Sequence, residues 1–253
     1  MESRFLRASV ALLGASMLVF VAAPRAEEIS VLATTAYKGV MLELLPRFEQ
    51  SNRHKVLTRF SGSPDILKRI QGGEAADVVI LASDSLDALI QFGKITPGSR
   101  MDLAKSGIGI AVRAGAPKPD ISSSEAVKRA VLASRSVGYS GGASGIYIVG
   151  LFQRLGISEE VKPKSRQTPP GVAVGELIAR GDVELGFHQL SELLPVAGID
   201  IVGPLPSELQ HVTVFSSGIH IAAKDLAAAR ELVRFLASPD GVPVIRKNGM
   251  EPG

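Results

Sequence analysis

FSGSPDILKRIQGGEAADVVILA, residues 60 to 82, packs a strand end, a polar loop, a helix and a second strand into one stretch. Lys55 to Phe60 leads into it as a strand, which Ser61-Gly62-Ser63-Pro64 breaks with hydroxyls, a glycine and a proline. Ile66 to Gln71 reads as a helix, stopped at Gly72-Gly73. Asp77 to Leu81 (DVVIL) is then a nearly continuous apolar run, the pattern of a strand covered on both faces. Ser83-Asp84-Ser85 follows as the expected cap of a helix through Leu86, Leu89 and Ile90. Buried strands alternating with helices predict an α/β fold around a parallel or mixed sheet.

The same grammar extends both ways. Upstream, Ile29 to Ala33 is a strand that breaks at Thr34-Thr35 and gives way to a helix marked by Val40, Leu44, Leu45 and Phe48. Downstream, Gly107 to Val112 is a strand followed by the stiff turn Gly115 to Pro119, and the first crossing between lobes is expected in this segment. A second α/β run follows. It has a helix over Ser124 to Ala133, a strand over Val137 to Tyr139, the loop to Gly145 and a helix over Ile146 to Leu155. Next come the loop Thr168 to Val172, with Pro169, Pro170 and Gly171, a helix through Leu177 to Arg180 and a strand over Val183 to Phe187. Thr213 to Phe215 and Ile219 to Ala222 read as two returning strands. Leu226 to Ala237 is an amphipathic closing helix with Arg230, Glu231 and Arg234 on its wet side. A (β/α)8 barrel also suits about 250 residues, but the units do not count cleanly to eight. Two lobes are expected, residues 27–106 with 212–253 in the first and 107–211 in the second, with the tail from Ser238 packed on the first.

Of 253 residues, 45% are hydrophobic and 21% charged, which suffices for a packed core and excludes a disordered or collagenous chain. Cysteine is absent, which removes disulfides, thiolate metal sites, cysteine nucleophiles and an acylated N-terminal cysteine together. Arg4 and Arg7 precede an apolar run from Val10 to Ala23, the layout of a signal peptide over residues 1–26 cleaved near Ala26. The formal charge is +3, and loss of Arg4, Arg7, Arg25 and Glu2 leaves +1. No later run is long and apolar enough to span a bilayer, and no basic run with interleaved aromatics suggests nucleic acid. A soluble, exported monomer with no membrane insertion and no nucleic-acid partner is expected, located in the periplasm.

Four polar loops stand just after a candidate strand and just before a candidate helix: Thr34-Thr35, Ser61 to Ser63, Ser140 to Gly145, and Thr168 to Val172. Helix starts leave backbone N–H groups unpaired and partly positive, so hydroxyls and glycines placed there make an anion site without Arg or Lys. In open α/β sheets such loops gather at the carboxyl ends of strands, where ligands bind. Taken singly, each is equally an ordinary helix cap; the four together suggest a cleft. Nothing reads as a P-loop, a dinucleotide fingerprint or a nucleophile elbow. His54, His211 and His220 show no metal-ligand spacing, so neither a metal nor a cofactor is expected.

ISVLATTA at the start, the block from Phe60 to Ala82 and GELIARGDVELGF from Gly175 to Phe187 together resemble periplasmic solute-binding proteins of the molybdate-binding type. The resemblance implies the type 2 periplasmic-binding-protein fold, two α/β lobes closing a cleft on a small anionic ligand, with an ABC permease as partner. By position it implies ligand contacts from Thr34 or Thr35, Ser61 or Ser63, Ser144 beside Gly145, and the backbone N–H of Val172. Thr35-Ala36-Tyr37 and Gln189 depart from that family's pattern, Gln189 standing where a tyrosine is usual. YSGGASGIY, KPKS at Lys162 to Ser165 and GFHQLSELLP at Gly186 to Pro195 are similar to a divergent subgroup that includes periplasmic aconitate isomerase. That likeness implies a carboxylate-rich ligand and, as the alternative to uptake, an isomerase moving a double bond by allylic proton transfer. Such a reaction needs a proton carrier in the cleft, with His188 the first candidate and Tyr147 and Glu192 behind it. Tyr37 fits either the core or the cleft.

Overall fold

The computed structural model describes residues 28–169 and 171–253, so the expected signal peptide lies outside the described residues, as does Pro170. The first half contains β1 (Glu28–Thr34), α1 (Lys38–Asn52), β2 (Lys55–Ser61), α2 (Ser63–Gln71), β3 (Val78–Ala82) and α3 (Ser83–Gln91). A single long strand, β4 (Met101–Arg113), leads into α4 (Ser124–Ala133), β5 (Val137–Tyr139), α5 (Ala143–Arg154), α6 (Ser158–Val161) and β6 (Ser165–Gln167). Then come α7 (Val174–Arg180), β7 (Leu185–Gln189), α8 (Leu190–Leu193), β8 (Ile199–Pro204), β9 (Val212–Ile219), α9 (Leu226–Leu236), α10 (Val242–Lys247) and β10 (Glu251–Pro252). The strands form one mixed sheet in the order β2-β1-β3-β9-β4-β7-β5-β6, with β8 and β10 also paired to β4.

Period-two packing explains the apolar run at residues 78–82. Val78 and Ile80 of β3 face α1 and α9, in one core with Val31, Leu44, Phe48, Leu232 and Leu236. Val79 and Leu81 point to the opposite face, where Leu32 meets Ile66 and Ile70 of α2 and Leu86 and Leu89 of α3. The second half repeats this. Ile108, Ile110, Leu185 and Phe187 pack on α4 and α5 through Val127, Ile148 and Phe152, while Ala111 and Val183 pack on α7 through Val174 and Ile178. Each half is therefore a sheet between two helical layers, the expected α/β two-lobed architecture. The C-terminal segment belongs to the first core, where Val244, Ile245 and Met250 are buried and Glu251 pairs with Lys105.

Several local expectations are corrected. The Ser83-Asp84-Ser85 triplet forms the first turn of α3 rather than its cap, because the helix starts directly off β3 with Ala82 at the N-cap and no side-chain cap bond. The two returning strands near the end are one strand, β9, and Ile221 and Ala222 turn away from it. β4 changes ladder partners along its length, residues 101–107 pairing with β9 and residues 108–113 with β7 and β8.

A strand that exchanges ladder partners in mid-course risks stranding buried backbone groups. Two carboxamides prevent that. Gln210 Oε1 accepts from the N–H of Ile108 at 2.8 Å, and its Nε2 donates to the Ile108 carbonyl at 3.1 Å and the Leu205 carbonyl at 3.3 Å. Gln189, with Nε2 facing carbonyls and Oε1 facing a hydroxyl, donates to Ser106 at 3.0 Å and Gly107 at 3.2 Å and accepts from Thr213 Oγ1 at 2.8 Å.

Candidate functional site

Where the two halves of the sheet meet, a cavity of about 700 Å³ opens between them. Thr34, Thr35, Ser61, Gly62 and Ser63 line it from the ends of β1 and β2. Facing them are Ser140 to Ser144 at the start of α5, Thr168, Pro169 and Gly171 to Ala173 before α7, and His188, Gln189, Ser191 and Glu192 at the β7–α8 junction. Thus residues from all four polar loops, scattered over about 140 positions of chain, surround one space because each loop follows a strand at its carboxyl end.

The helix starts at this cavity share one feature. The 3-10 turn at Thr35–Tyr37, α2, α5, α7 and α8 all begin without a side-chain cap. Among the helices that begin elsewhere, α4 and α9 are capped by Ser123 and by Asp225, whose Oδ1 accepts from Ala227 and Ala228, whereas α3, α6 and α10 likewise lack a side-chain cap. Uncapped N–H groups at α2 and α5, opposed across the cavity, supply the partial positive charge that an anion needs. Formal charge does not supply it. The charged lining residues are Lys38, Asp65, Glu176 and Glu192. Asp65 is engaged by the Ser61 hydroxyl at 2.6 Å and lies 3.6 Å from Arg69, while Glu176 is exposed at the rim.

Among the expected contacts, Ser63 Oγ accepts from the N–H of Ala82 at 2.9 Å, which leaves its own hydrogen to donate. Ser61 instead gives its hydrogen to Asp65. Ser144 Oγ lies 3.3 Å from Ser140 Oγ, which also accepts from the N–H of Gly142 at 3.2 Å. Val172 lines the cavity, but the N–H expected to meet the ligand donates to the Pro169 carbonyl at 3.2 Å, and Gly145 does not line it, being buried beneath the Ser140 backbone. Gln189 lines the cavity, yet its amide is committed to β4 and β9. The expectation that this carboxamide reads the ligand therefore gives way to a structural role. Gln189→Ala should lower stability by about 2 kcal/mol, since three buried partners lose their bonds, and should leave discrimination between anions unchanged. Chemical denaturation and a ligand titration check the two halves of that statement.

Tyr147 is also corrected. Its hydroxyl donates to the Leu209 carbonyl at 2.8 Å and its ring stacks on His211 with centroids 4.6 Å apart, outside the main cavity. It lines a separate hollow with Ser83, Asp84 and His211. Tyr37 is fully buried in the first core, and burial pushes its hydroxyl pKa well above the usual range.

His188 and Glu192 do come together. The His188 Nε2 lies 3.2 Å from Glu192 Oε2, with side chains 4% and 14% exposed, both lining the cavity. Nδ1 of His188 and the hydroxyl of Ser191 are buried without a partner. Ser191 escapes a reading of the sequence because no polar loop separates β7 from α8, so its helix start carries no loop signature.

Two α/β halves thus meet at a cleft lined by hydroxyls and uncapped helix starts. The chain belongs to the bacterial extracellular solute-binding protein family, whose model matches residues 29–251. It is 37% identical over 249 residues, 95% of each chain, to an aconitate isomerase from a Pseudomonas species. It is 28% identical over 254 residues, again 95% of each, to the molybdate-binding protein ModA of Azotobacter vinelandii. The solved periplasmic molybdate-binding protein of A. vinelandii superposes with a TM-score of 0.74 at 20% identity, covering 89% of this chain and 99% of that one.

Proposed function

We propose that the protein is exported, cleaved near Ala26, and binds a small organic polycarboxylate in the cleft. The observation that carries this reading is the cavity itself. About 700 Å³ lined by hydroxyls and helix starts from both lobes suits several carboxylates spread over a carbon frame better than one compact tetrahedral ion. The 37% identity to an aconitate isomerase supports the same ligand class. Residues 27–106 with 212–253 and residues 107–211 are the two bodies that close on the ligand, turning about Gly107 and the segment 205–211, where Gln189 and Gln210 hold the exchanged strand. Thr34, Thr35, Ser63 and Ser144 are its donors, while Val172 lines the cleft and Ser61 holds Asp65 at its edge.

A second reading, a receptor for a molybdate-type oxyanion that serves an ABC permease as a monomer, is favoured by the molybdate-binding relative and by the shared fold. A thermal-shift panel separates the two. At a concentration of about 100 Kd a cleft ligand stabilises by about 2.7 kcal/mol, which for a chain of this size is a rise of roughly 5–10 °C. Citrate and the aconitates are expected to give that rise, and molybdate, tungstate and sulfate are expected to give none. The reverse pattern selects the second reading.

A further inference from the structure

The cleft wall holds a carboxylate that a ligand made only of anionic groups would not favour, because like charge repels. Of the three acidic lining residues, Asp65 is engaged by the Ser61 hydroxyl and lies near Arg69, and Glu176 sits in solvent at the rim. Glu192 differs. Its side chain is 14% exposed, and its one partner among the described residues is His188, whose Nε2 lies 3.2 Å from Oε2. Beside it the Ser191 hydroxyl and Nδ1 of His188 are buried without a partner among the described residues, and both residues line the cleft at 9% and 3% exposure. A buried polar atom costs free energy until something bonds to it. This corner of the wall is therefore suited to a group that arrives with the ligand.

The atoms say what that group is. An ionised carboxylate only accepts hydrogen bonds, so the ligand has to donate to Glu192, whereas a serine hydroxyl both donates and accepts. A ligand hydroxyl answers both, giving its hydrogen to Glu192 and taking one from Ser191. A ligand carboxylate answers neither need, since it would set a second negative charge against Glu192 with no hydrogen between them. Ligand carboxylates belong instead at the uncapped starts of α2 and α5, where N–H groups are unpaired and partly positive. We propose that Glu192 and Ser191 form a subsite for a hydroxyl on the ligand's carbon frame, which makes the preferred ligand a hydroxylated polycarboxylate. This rests on the polycarboxylate reading above and narrows it. The preference is enforced from both sides, because an analogue that lacks the hydroxyl leaves the polar groups of the subsite unpaired.

The test is calorimetric titration with two ligand pairs whose members differ by one hydroxyl, citrate against tricarballylate and malate against succinate. In each pair the unaltered protein is expected to bind the hydroxylated member tighter by about 10- to 150-fold, the contribution of one bond to a charged group. Glu192→Ala should bring the two members within about threefold of each other, chiefly by weakening the hydroxylated one. Glu192→Gln keeps an acceptor oxygen and the shape of the side chain. It should retain part of the preference, and it should bind tricarballylate more tightly than the unaltered protein does, because the repulsion is gone. Aspartate, which offers an ammonium in place of the malate hydroxyl, is the third arm, and aspartate binding more tightly than malate overturns the hydroxyl assignment. Equal binding of citrate and tricarballylate by the unaltered protein overturns it too, and the polycarboxylate reading then stands. An undiminished preference in both Glu192 variants removes Glu192 from the subsite. Failure to bind any polycarboxylate overturns both readings.

Discussion

Gly145→Ala is expected to abolish anion binding while lowering the melting temperature by roughly 10 °C. An ideal Cβ on Gly145 lies 1.6 Å from the Ser140 carbonyl oxygen and 2.6 Å from its carbon. Both obstacles are backbone, so no side-chain rotation relieves them. Either the first turn of α5 unwinds or the Ser140–Gly142 loop is pushed into the cleft. Overpacking typically costs about 1–3 kcal/mol, and a backbone obstacle puts this case at the upper end, or roughly 6–12 °C. Ser140, Gly142 and Ser144 would be displaced together, and bonds to a charged ligand are each worth about 1.5–3 kcal/mol. The affinity should therefore fall by about 100-fold or more. Gly150→Ala in the same helix is the control. Its Cβ meets nothing closer than 3.6 Å, and removing a mid-helix glycine should stabilise by about 0.5–1 kcal/mol. Calorimetry with a cleft ligand and scanning of both variants decide the matter. A Gly145→Ala protein with unaltered melting and affinity would refute the close-approach argument.

Asp77→Ala should produce the opposite separation, a loss of about 3–4 kcal/mol in stability with ligand affinity unchanged. Asp77 is 3% exposed, and its Oδ2 accepts from the N–H and the hydroxyl of Ser30 at 2.7 and 2.6 Å. Its Oδ1 accepts from the N–H of Lys224 at 2.6 Å. The carboxylate thereby ties the entry of β3 to β1 and to the chain leaving β9. Each such bond to a charged group contributes about 1.5–3 kcal/mol, and three bonds to one carboxylate are not additive. Asp77 precedes β3, whereas the cleft lies at the far end of that strand, beyond Ala82. Asn in its place should recover only part of the loss, since its amide nitrogen must face a donor. Equilibrium denaturation measures the stability change, and a titration with the same ligand shows whether the cleft is affected.

The aspartate in the Phe60–Ala82 block is thus a staple, although the block as a whole is what made the family legible. Composition and local pattern determined much of this protein. The apolar runs of β1, β3 and β7 and the helical spacing of α1, α4 and α9 follow from period-two and 3.6-residue burial, which a chain must display to fill two cores. The hydroxyl- and glycine-bearing junctions at Thr34, Ser61, Ser140 and Thr168 were visible for the same local reason. Weaker signals were not legible: β6 (Ser165–Gln167) has no apolar residue and is held by parallel pairing to β5, and β8, where Ile199, Ile201 and Val202 are interrupted by Asp200 and followed by Gly203 and Pro204, is only half-buried. Partnership was decided by tertiary structure alone. No pattern within residues 101–113 reveals that one strand serves two ladders, and nothing in the residue type of Gln189 says that its amide is consumed by Ser106, Gly107 and Thr213. Nor does spacing place Tyr147 on Leu209 and His188 on Glu192. Burial is written into a sequence residue by residue, because hydrophobicity belongs to a side chain; the direction in which a polar group spends its hydrogen bonds depends on neighbours that only the folded chain brings near.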